Sequence, residues 1–423
     1  MQIELQVKFG IIIQQSVFSS VVFQITVKDG CQEISGILFE KMKIETVTEA
    51  LIFKISGEKN EKTTKMKESN SNAQALVGYT FEKGWKVLSE HSRFGTATGG
   101  IYSICLDVEK DGIEYFMKAL DYDAHLRKRD VAGNPTKALN LMTAQHLYEC
   151  KLCEICRNGN ITKVVHVIDT GTEFVDRLNV QVPYLVFEKA DMDAHEFLDL
   201  SDRMDFVWKL HSLHEVALGL YQLHQVSITH QDVKPSNILI FGKESKLGDL
   251  GRSFSEEIKS PFEEDQFPGD QNYFPPEKRY NRQVEKSWEQ RCLTDCYLLG
   301  SLLTYYLTRE TMNAIMDRHM PPSMHPTVFN GKWEEVEGPI KNAFHEALCE
   351  IEAAIPFKRK DSKDEGCFRD RLISVVKQLC YPLYEKRGFM RESKKSQRKY
   401  YQTQRALSEF ALLVYKAESL SLR

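Results

Sequence analysis

His230-Gln231-Asp232-Val233-Lys234-Pro235-Ser236-Asn237, followed a short way on by Asp249-Leu250-Gly251, organises the reading of this chain. A carboxylate, an amine, an amide and a second carboxylate fall in one short stretch. Asp232 comes just after an apolar helical pattern that ends at Leu223-His224, and a carboxylate so placed can accept the proton of an attacking hydroxyl. Lys234 can neutralise a phosphate. Asn237 and Asp249 offer the hard oxygens that magnesium prefers. Ile238-Leu239-Ile240 and Lys246-Leu247 flank the space between these groups and predict a small hairpin. Together they point to phosphoryl transfer.

Composition permits this chemistry and excludes some alternatives. At 423 residues the chain can hold two or three units of ordinary domain size. A hydrophobic share of 42% and a charged share of 27% fit a soluble globular protein. The net charge of −4 gives no electrostatic reason to expect a nucleic-acid partner. The ten cysteines lack the dense spacing of a disulfide framework, which points to a reducing cytoplasm. Phe9 to Val27 is uncharged, but three glutamines and three serines interrupt it and β-branched residues dominate. It predicts strands, and neither a membrane span nor a signal peptide is expected.

Working outward, residues 1–56 predict a small β-rich domain of unassigned role. Its strands are expected at Ile3 to Val7, Val21 to Val27, Ile34 to Phe39 and Ala50 to Ile55. Residues 57–77 are polar and charged and predict a linker. Three strands are expected next, at Trp85 to Ser89, Tyr102 to Glu109 and Glu114 to Leu120, then a helix over Ala138 to Arg157. Strands return at Val164 to Asp169 and Tyr184 to Glu188. After these the apolar spacing is helical, over Phe206 to His224, Thr294 to Leu307 and Arg371 to Leu383. A strand-rich half followed by a helix-rich half predicts an α+β fold of two lobes with a cleft between them.

These landmarks resemble the protein-kinase family, whose catalytic loop runs H-R-D-x-x-x-x-N and whose metal site is D-F-G. The resemblance covers Phe81 to Leu413, about four-fifths of the chain. By this resemblance residues 78–190 are the first lobe with its hinge, and residues 191–423 are the second lobe. Met117-Lys118-Ala119 is similar to the segment whose lysine pairs with the α- and β-phosphates of ATP. Glu149 lies on the next helix, where the family places that lysine's carboxylate partner. Leu185-Val186-Phe187-Glu188-Lys189-Ala190 resembles the hinge, which implies that the backbone of Glu188 and Ala190 holds adenine. Phe187 would then guard the back of the pocket. Glu277 in Pro-Pro-Glu, Asp295 in Asp-Cys-Tyr-Leu-Leu-Gly and Arg387 resemble the family's supporting residues. The resemblance implies a cytoplasmic serine/threonine kinase with ATP and magnesium, or manganese, as cofactors. A protein hydroxyl would be the acceptor. The wording of the catalytic region looks more like bacterial relatives of eukaryotic kinases than like the main animal groups.

The chain departs from the family in several places. Gln231 replaces the arginine that often grips an activation-loop phosphate, so activity is expected without such phosphorylation, and alanine at Ser253, Ser255 and Ser260 is expected to leave turnover nearly intact. In Gly95-Thr96-Ala97-Thr98-Gly99-Gly100 the glycine pattern is irregular, although Gly99 and Gly100 still permit close approach to phosphate. Leu250 stands for the usual phenylalanine. Asp270 falls where serine/threonine kinases carry a threonine; it can bond Lys234 but adds negative charge beside the acceptor.

Other readings compete. A carboxylate such as Asp232 or Asp249, taken alone, is more often a surface or capping residue, so the argument rests on the set. Cys150, Cys153 and Cys156 lie along one stripe of a helix, which suits packing better than an iron–sulfur cluster. His211, His214 and His224 read as core or capping groups, since no glutamate completes an H-E-x-x-H pattern. The basic run from Lys386 to Arg405 reads as a solvated helix face. Two alternatives share the fold: a small-molecule phosphotransferase, and a nucleotide-binding scaffold without turnover. Small-molecule transferases generally lack the lysine two residues after the aspartate and the Pro-Pro-Glu element, and both are present here.

Overall fold

Residues 5–11, 21–27, 33–38, 75–91, 103–122, 134–176, 178, 180–200, 206–261, 269–284, 287–355, 363–389 and 401–420 are described in a computed structural model. The chain falls into two units, residues 1–69 and 70–423. The first holds three antiparallel strands in the order β1 (Leu5–Ile11), β2 (Val21–Val27), β3 (Glu33–Leu38). The first strand runs four residues further than the Ile3 to Val7 expectation, because Phe9 to Ile11 continue the pairing with β2. The strand expected at Ala50 to Ile55 and the linker as far as residue 74 lie outside the described residues. The three residues that end that span are described, and Leu76 among them is buried with Phe81 and Trp85 in the core of the second unit.

That second unit begins with a five-stranded antiparallel sheet. Its strands are β4 (Lys86–Glu90), β5 (Ser103–Lys110), β6 (Ile113–Leu120), β7 (Val167–Val175) and β8 (Val180–Glu188), in the order β4-β5-β6-β8-β7. Asp111 and Gly112 make the two-residue turn between β5 and β6, with φ of 55° and 77°. This is the primed turn that matches strand twist, and Asp-Gly favours it. Alternation then sorts the side chains: Ile104, Leu106 and Val108 of β5 and Met117 and Ala119 of β6 are buried in one face. Lys118, between the last two, must face the other side. Between β6 and β7 runs helix α1 (Pro135–Asn158), started by Pro135 and by the Asn134 side chain, which accepts from the Lys137 amide. Val164 lies outside the strand expected at Val164 to Asp169. It makes a parallel bridge to Leu247, and β7 itself starts at Val167 and continues to Val175.

From residue 191 onward the unit is mainly helical. Short strands β9 (Met192–Asp193), β10 (Ile228–Thr229), β11 (Ile238–Phe241), β12 (Glu244–Leu247) and β13 (Phe254–Ser255) accompany helices α2 (Ala194–Leu200) and α3 (Phe206–Gln225). The expected hairpin is the antiparallel pair β11–β12. Helices α4 (Pro276–Arg279), α5 (Trp288–Thr308), α6 (Met312–Arg318), α7 (Trp333–Ala354), α8 (Lys363–Cys380) and α9 (Tyr401–Ser419) complete it. Every residue of α5 from Gln290 to Tyr306 is buried, as suits a helix with apolar residues all round its circumference. α3 packs on α9 and α5 packs on α8. α8 ends three residues before the expected Leu383. Pro382 disfavours helical backbone at the residue before it and has no N–H to continue the ladder. Gly219 lets α3 approach the chain at Lys163, whose carbonyl would lie 2.7 Å from a Cβ at that position. The fold is α+β with a strand-rich lobe followed by a helical one, preceded by the small β-rich unit. Among the described residues no helix is long and apolar enough to cross a membrane.

Candidate active site

Three elements converge on one amine. Lys118 on β6 reaches Glu149 on α1 at 2.9 and 3.0 Å, and Asp249 after β12 at 3.0 Å. Burial opposes the charge on Lys118, but Asp249 and Glu149 outweigh it and hold the amine protonated above its ordinary value. The lysine in turn holds the Asp249 carboxyl well below the usual carboxylate range. Glu149 moves the other way: burial raises it, and Lys118 only partly compensates. Asp249 has left-handed backbone, φ 56°, and its Oδ1 also accepts from the Gly251 amide at 3.3 Å.

The loop from His230 to Asn237 presents the second group of side chains. Asp232 is buried, and each of its oxygens has a donor: the Asp270 amide at 3.0 Å on Oδ1 and Asn237 Nδ2 at 3.1 Å on Oδ2. Burial raises its pKa, and Lys234 works against that shift. Lys234 Nζ stands 3.4 Å from Asp232 and 3.3 Å from Asp270, so the aspartate at 270 does bond the lysine. Both Asn237 bonds use its amide nitrogen, the other going to the Asp232 carbonyl at 2.8 Å. Neither bond uses the amide oxygen of Asn237, which could therefore serve as a cation ligand. Oxygen donors at Asn237 and Asp249 suit magnesium, which takes few protein ligands and completes its shell with water and phosphate. Among the described residues no cluster of three or more His, Cys, Asp or Glu forms a closed metal cage.

Asp295 underpins this loop from inside α5. Its carboxylate accepts from the His230 amide at 2.9 Å, the Gln231 amide at 2.8 Å and His224 Nε2 at 2.9 Å. These bonds overcome burial and lower its pKa. They also secure Gln231, whose φ of 65° costs an L-residue about 1–3 kcal/mol. The Gln231 side chain is spent inward, on the Arg291 carbonyl at 2.9 Å and on Asp295 at 3.0 Å. Glu277 and Arg387 form a buried, two-pronged ion pair at 2.7 and 2.8 Å.

Lys278, next to Glu277, is buried and its pKa is pushed down to about 7 by that burial. The unfolded chain binds this proton up to about pH 10.4. The burial cost therefore acts in full below about 7 and is relieved as pH rises through the window above it. Urea melts at pH 7 and pH 9 are expected to show wild type gaining stability relative to Lys278→Met. Parallel behaviour of the two proteins would contradict this.

The segment expected to form the hinge is stitched to both neighbours. The Glu188 amide donates to the His166 carbonyl at 3.2 Å, and its carboxylate binds Lys246 at 2.8 Å. Lys189 pairs with Asp107 and Glu114 at 3.1 and 2.7 Å. Ala190 and the half-buried Phe187 lie in the same stretch, with the Phe187 ring 6.4 Å from Phe116. Gly99 and Gly100 lie outside the described residues.

Several expectations need correction. His211 is neither core nor cap; it is exposed and bonds Glu418 at 2.9 Å. Arg387 leaves the basic run for the interior, while residues 390–400 of that run lie outside the described residues. Ser253, Ser255 and Ser260 are all buried. Ser253 Oγ donates to the His230 carbonyl and Ser255 Oγ accepts from the Glu257 amide, so alanine there probes packing and does not report on phosphorylation. Cys153 and Cys156 lie in the core, as a packing role requires. Burial pushes the Cys150 and Cys156 thiols up to about 12. The sequence reading missed Tyr148, whose hydroxyl bonds the backbone at Ser253 and Ser255, and the Glu188–Lys246 pair. These partners are far apart in the chain, and no local pattern marks them.

Comparison with known proteins bears on the family of the chain. Residues 109–350 match the family described as Protein kinase domain. A probable serine/threonine-protein kinase of Streptomyces coelicolor is 28% identical over 163 residues, 35% of this chain and 22% of that protein. Mitogen-activated protein kinase 4a of Physcomitrium patens is 27% identical over 113 residues, 26% of this chain and 29% of that protein. Mitogen-activated protein kinase 2 of Oryza sativa subsp. japonica is 29% identical over 106 residues, 25% of this chain and 26% of that protein. The matched parts span less than a third of each relative's length.

Proposed function

The chain belongs to the protein kinase family, and from that premise we propose that it is an ATP-dependent serine/threonine kinase acting on a protein hydroxyl. The observation that carries the reading is the meeting of Glu149 and Asp249 within 3.0 Å of the Lys118 amine. Lys118, tethered by Glu149, would bind the α- and β-phosphates. Asp249 and Asn237 would hold magnesium, or manganese, through oxygen; the bound cation would shield the phosphate charge. Asp232 orients the acceptor hydroxyl and takes its proton. Lys234 steadies charge on the transferring group, with Asp270 tempering its charge. The backbone of Glu188 and Ala190 receives adenine, and Gly99 and Gly100 approach the phosphates. Glu277, Asp295 and Arg387 hold the loop in place. Catalysis is then mainly alignment and electrostatics. We place this activity in the cytoplasm, in keeping with the described cysteines, which are free thiols.

Labelled-ATP transfer tests the proposal, on full-length and truncated chains, with and without magnesium. The expected result is magnesium-dependent labelling of serine or threonine in a protein. Transfer only to a small alcohol would move the assignment to a small-molecule phosphotransferase, and ATP binding without transfer would indicate a scaffold. The inward use of Gln231 supports activity that does not depend on phosphorylation. Phosphatase treatment of the wild-type protein should therefore leave turnover within about tenfold, some 1.4 kcal/mol in the barrier; a larger loss would refute it.

A further inference from the structure

Tyr148 precedes Glu149 on α1 and is buried. Its hydroxyl donates to the Ser253 carbonyl at 3.1 Å and accepts from the Ser255 amide at 3.0 Å. Both backbone groups belong to the segment that follows Asp249. The same segment is tied on its other side to the catalytic loop: Ile228 and Thr229 pair with Ser255 and Phe254, and Ser253 Oγ reaches the His230 carbonyl at 3.3 Å. The Arg291 guanidinium stacks on Phe254 at 3.6 Å. Two adjacent residues of one helix thus grip the two sides of the site, Glu149 the amine of Lys118 and Tyr148 the backbone beyond Asp249. Both side chains stand on the same helix, so an outward swing of that helix that released Glu149 would also draw Tyr148 away from the backbone it bonds. It would leave a buried donor and a buried acceptor unpaired, which disfavours the swung-out state.

We propose that Tyr148 is a positioning residue that locks the Glu149 helix to the segment following Asp249 and keeps Lys118, Glu149 and Asp249 assembled without a phosphate. Its consequence for turnover rests on the kinase reading above; the lock itself does not.

Tyr148→Phe in the full chain keeps the ring and removes the hydroxyl. The expected result is solvent exchange of the Ser255 amide about tenfold faster or more, and kcat for transfer lower by about tenfold. Ile340→Val, remote in α7, serves as a destabilised control and should change neither. Unchanged Ser255 exchange in Tyr148→Phe, or equal losses in the control, would overturn the proposal. If wild type transfers no phosphate, the proposed function fails, and the exchange comparison alone decides the lock. If Tyr148→Phe does not fold, wild-type exchange under rising urea decides it. The amides of Ser255 and of α1 from Tyr148 to Leu152 must then open in one event, and separate openings overturn the proposal.

Discussion

Asp232→Asn is expected to lower phosphate transfer by about 10²–10⁴-fold, the range a positioned acid–base group contributes. ATP should still bind. The asparagine keeps the size of the side chain but turns one oxygen into a donor. Both oxygens of Asp232 now accept, from the Asp270 amide and from Asn237, so one of these contacts becomes donor against donor. Leaving a buried donor unmatched costs about 1–3 kcal/mol, so some thermal stability will also be lost. Two measurements separate the effects. The variant's melting temperature should still rise with ATP and magnesium, because ligand at about 100 times its dissociation constant stabilises the fold by about 2.7 kcal/mol. Transfer should be nearly absent at the same nucleotide concentration. Full turnover in the variant would remove Asp232 from the acceptor site, and loss of the nucleotide-dependent rise would mean that the residue mainly supports binding.

Breaking the Glu277–Arg387 pair should cause the largest loss of stability, about 3–5 kcal/mol for Arg387→Met or Glu277→Gln alone. Both side chains are buried, and Arg387 also donates to the carbonyls of Tyr381 at 2.8 Å and Pro382 at 3.3 Å. Removing the cation strands a buried carboxylate; removing the charge on Glu277 strands the guanidinium. The double variant Glu277→Gln/Arg387→Met strands neither partner's charge, so denaturant unfolding should show it losing less than the sum of the two single changes. Strict additivity would show that the two side chains do not act as a pair. Because the pair joins α4, which carries Glu277, to the segment that follows α8, the losses should extend to the whole helical lobe.

Different parts of this molecule were legible to different degrees. The loop from His230 to Asn237 could be read because Asp232, Lys234 and Asn237 lie on one short turn, where chain order nearly sets spatial order. α3 and α5 could be read because apolar spacing at helical period survives tertiary packing. The end of α8 was misplaced because a hydrophobic period continues through residues that Pro382 removes from the helix. Val164 looked like strand because apolar, β-branched residues do not show which partner they will pair with, and its partner, Leu247, is supplied by the other lobe. His211 found Glu418 on another helix, a contact that no spacing within α3 could indicate.

Residue order alone determined which groups the proposed phosphoryl transfer would draw on, and the existence of the long periodic strands and helices, since both follow from local chemistry and from periods of two and of 3.6 residues. Only the folded chain decided that one amine would sit between Glu149 and Asp249, that Gln231 would turn inward, and that Tyr148 would bridge a helix to a distant strand. Those contacts join residues up to 131 positions apart. Their geometry is set by how sheet and helices pack, and packing is a property of the whole chain.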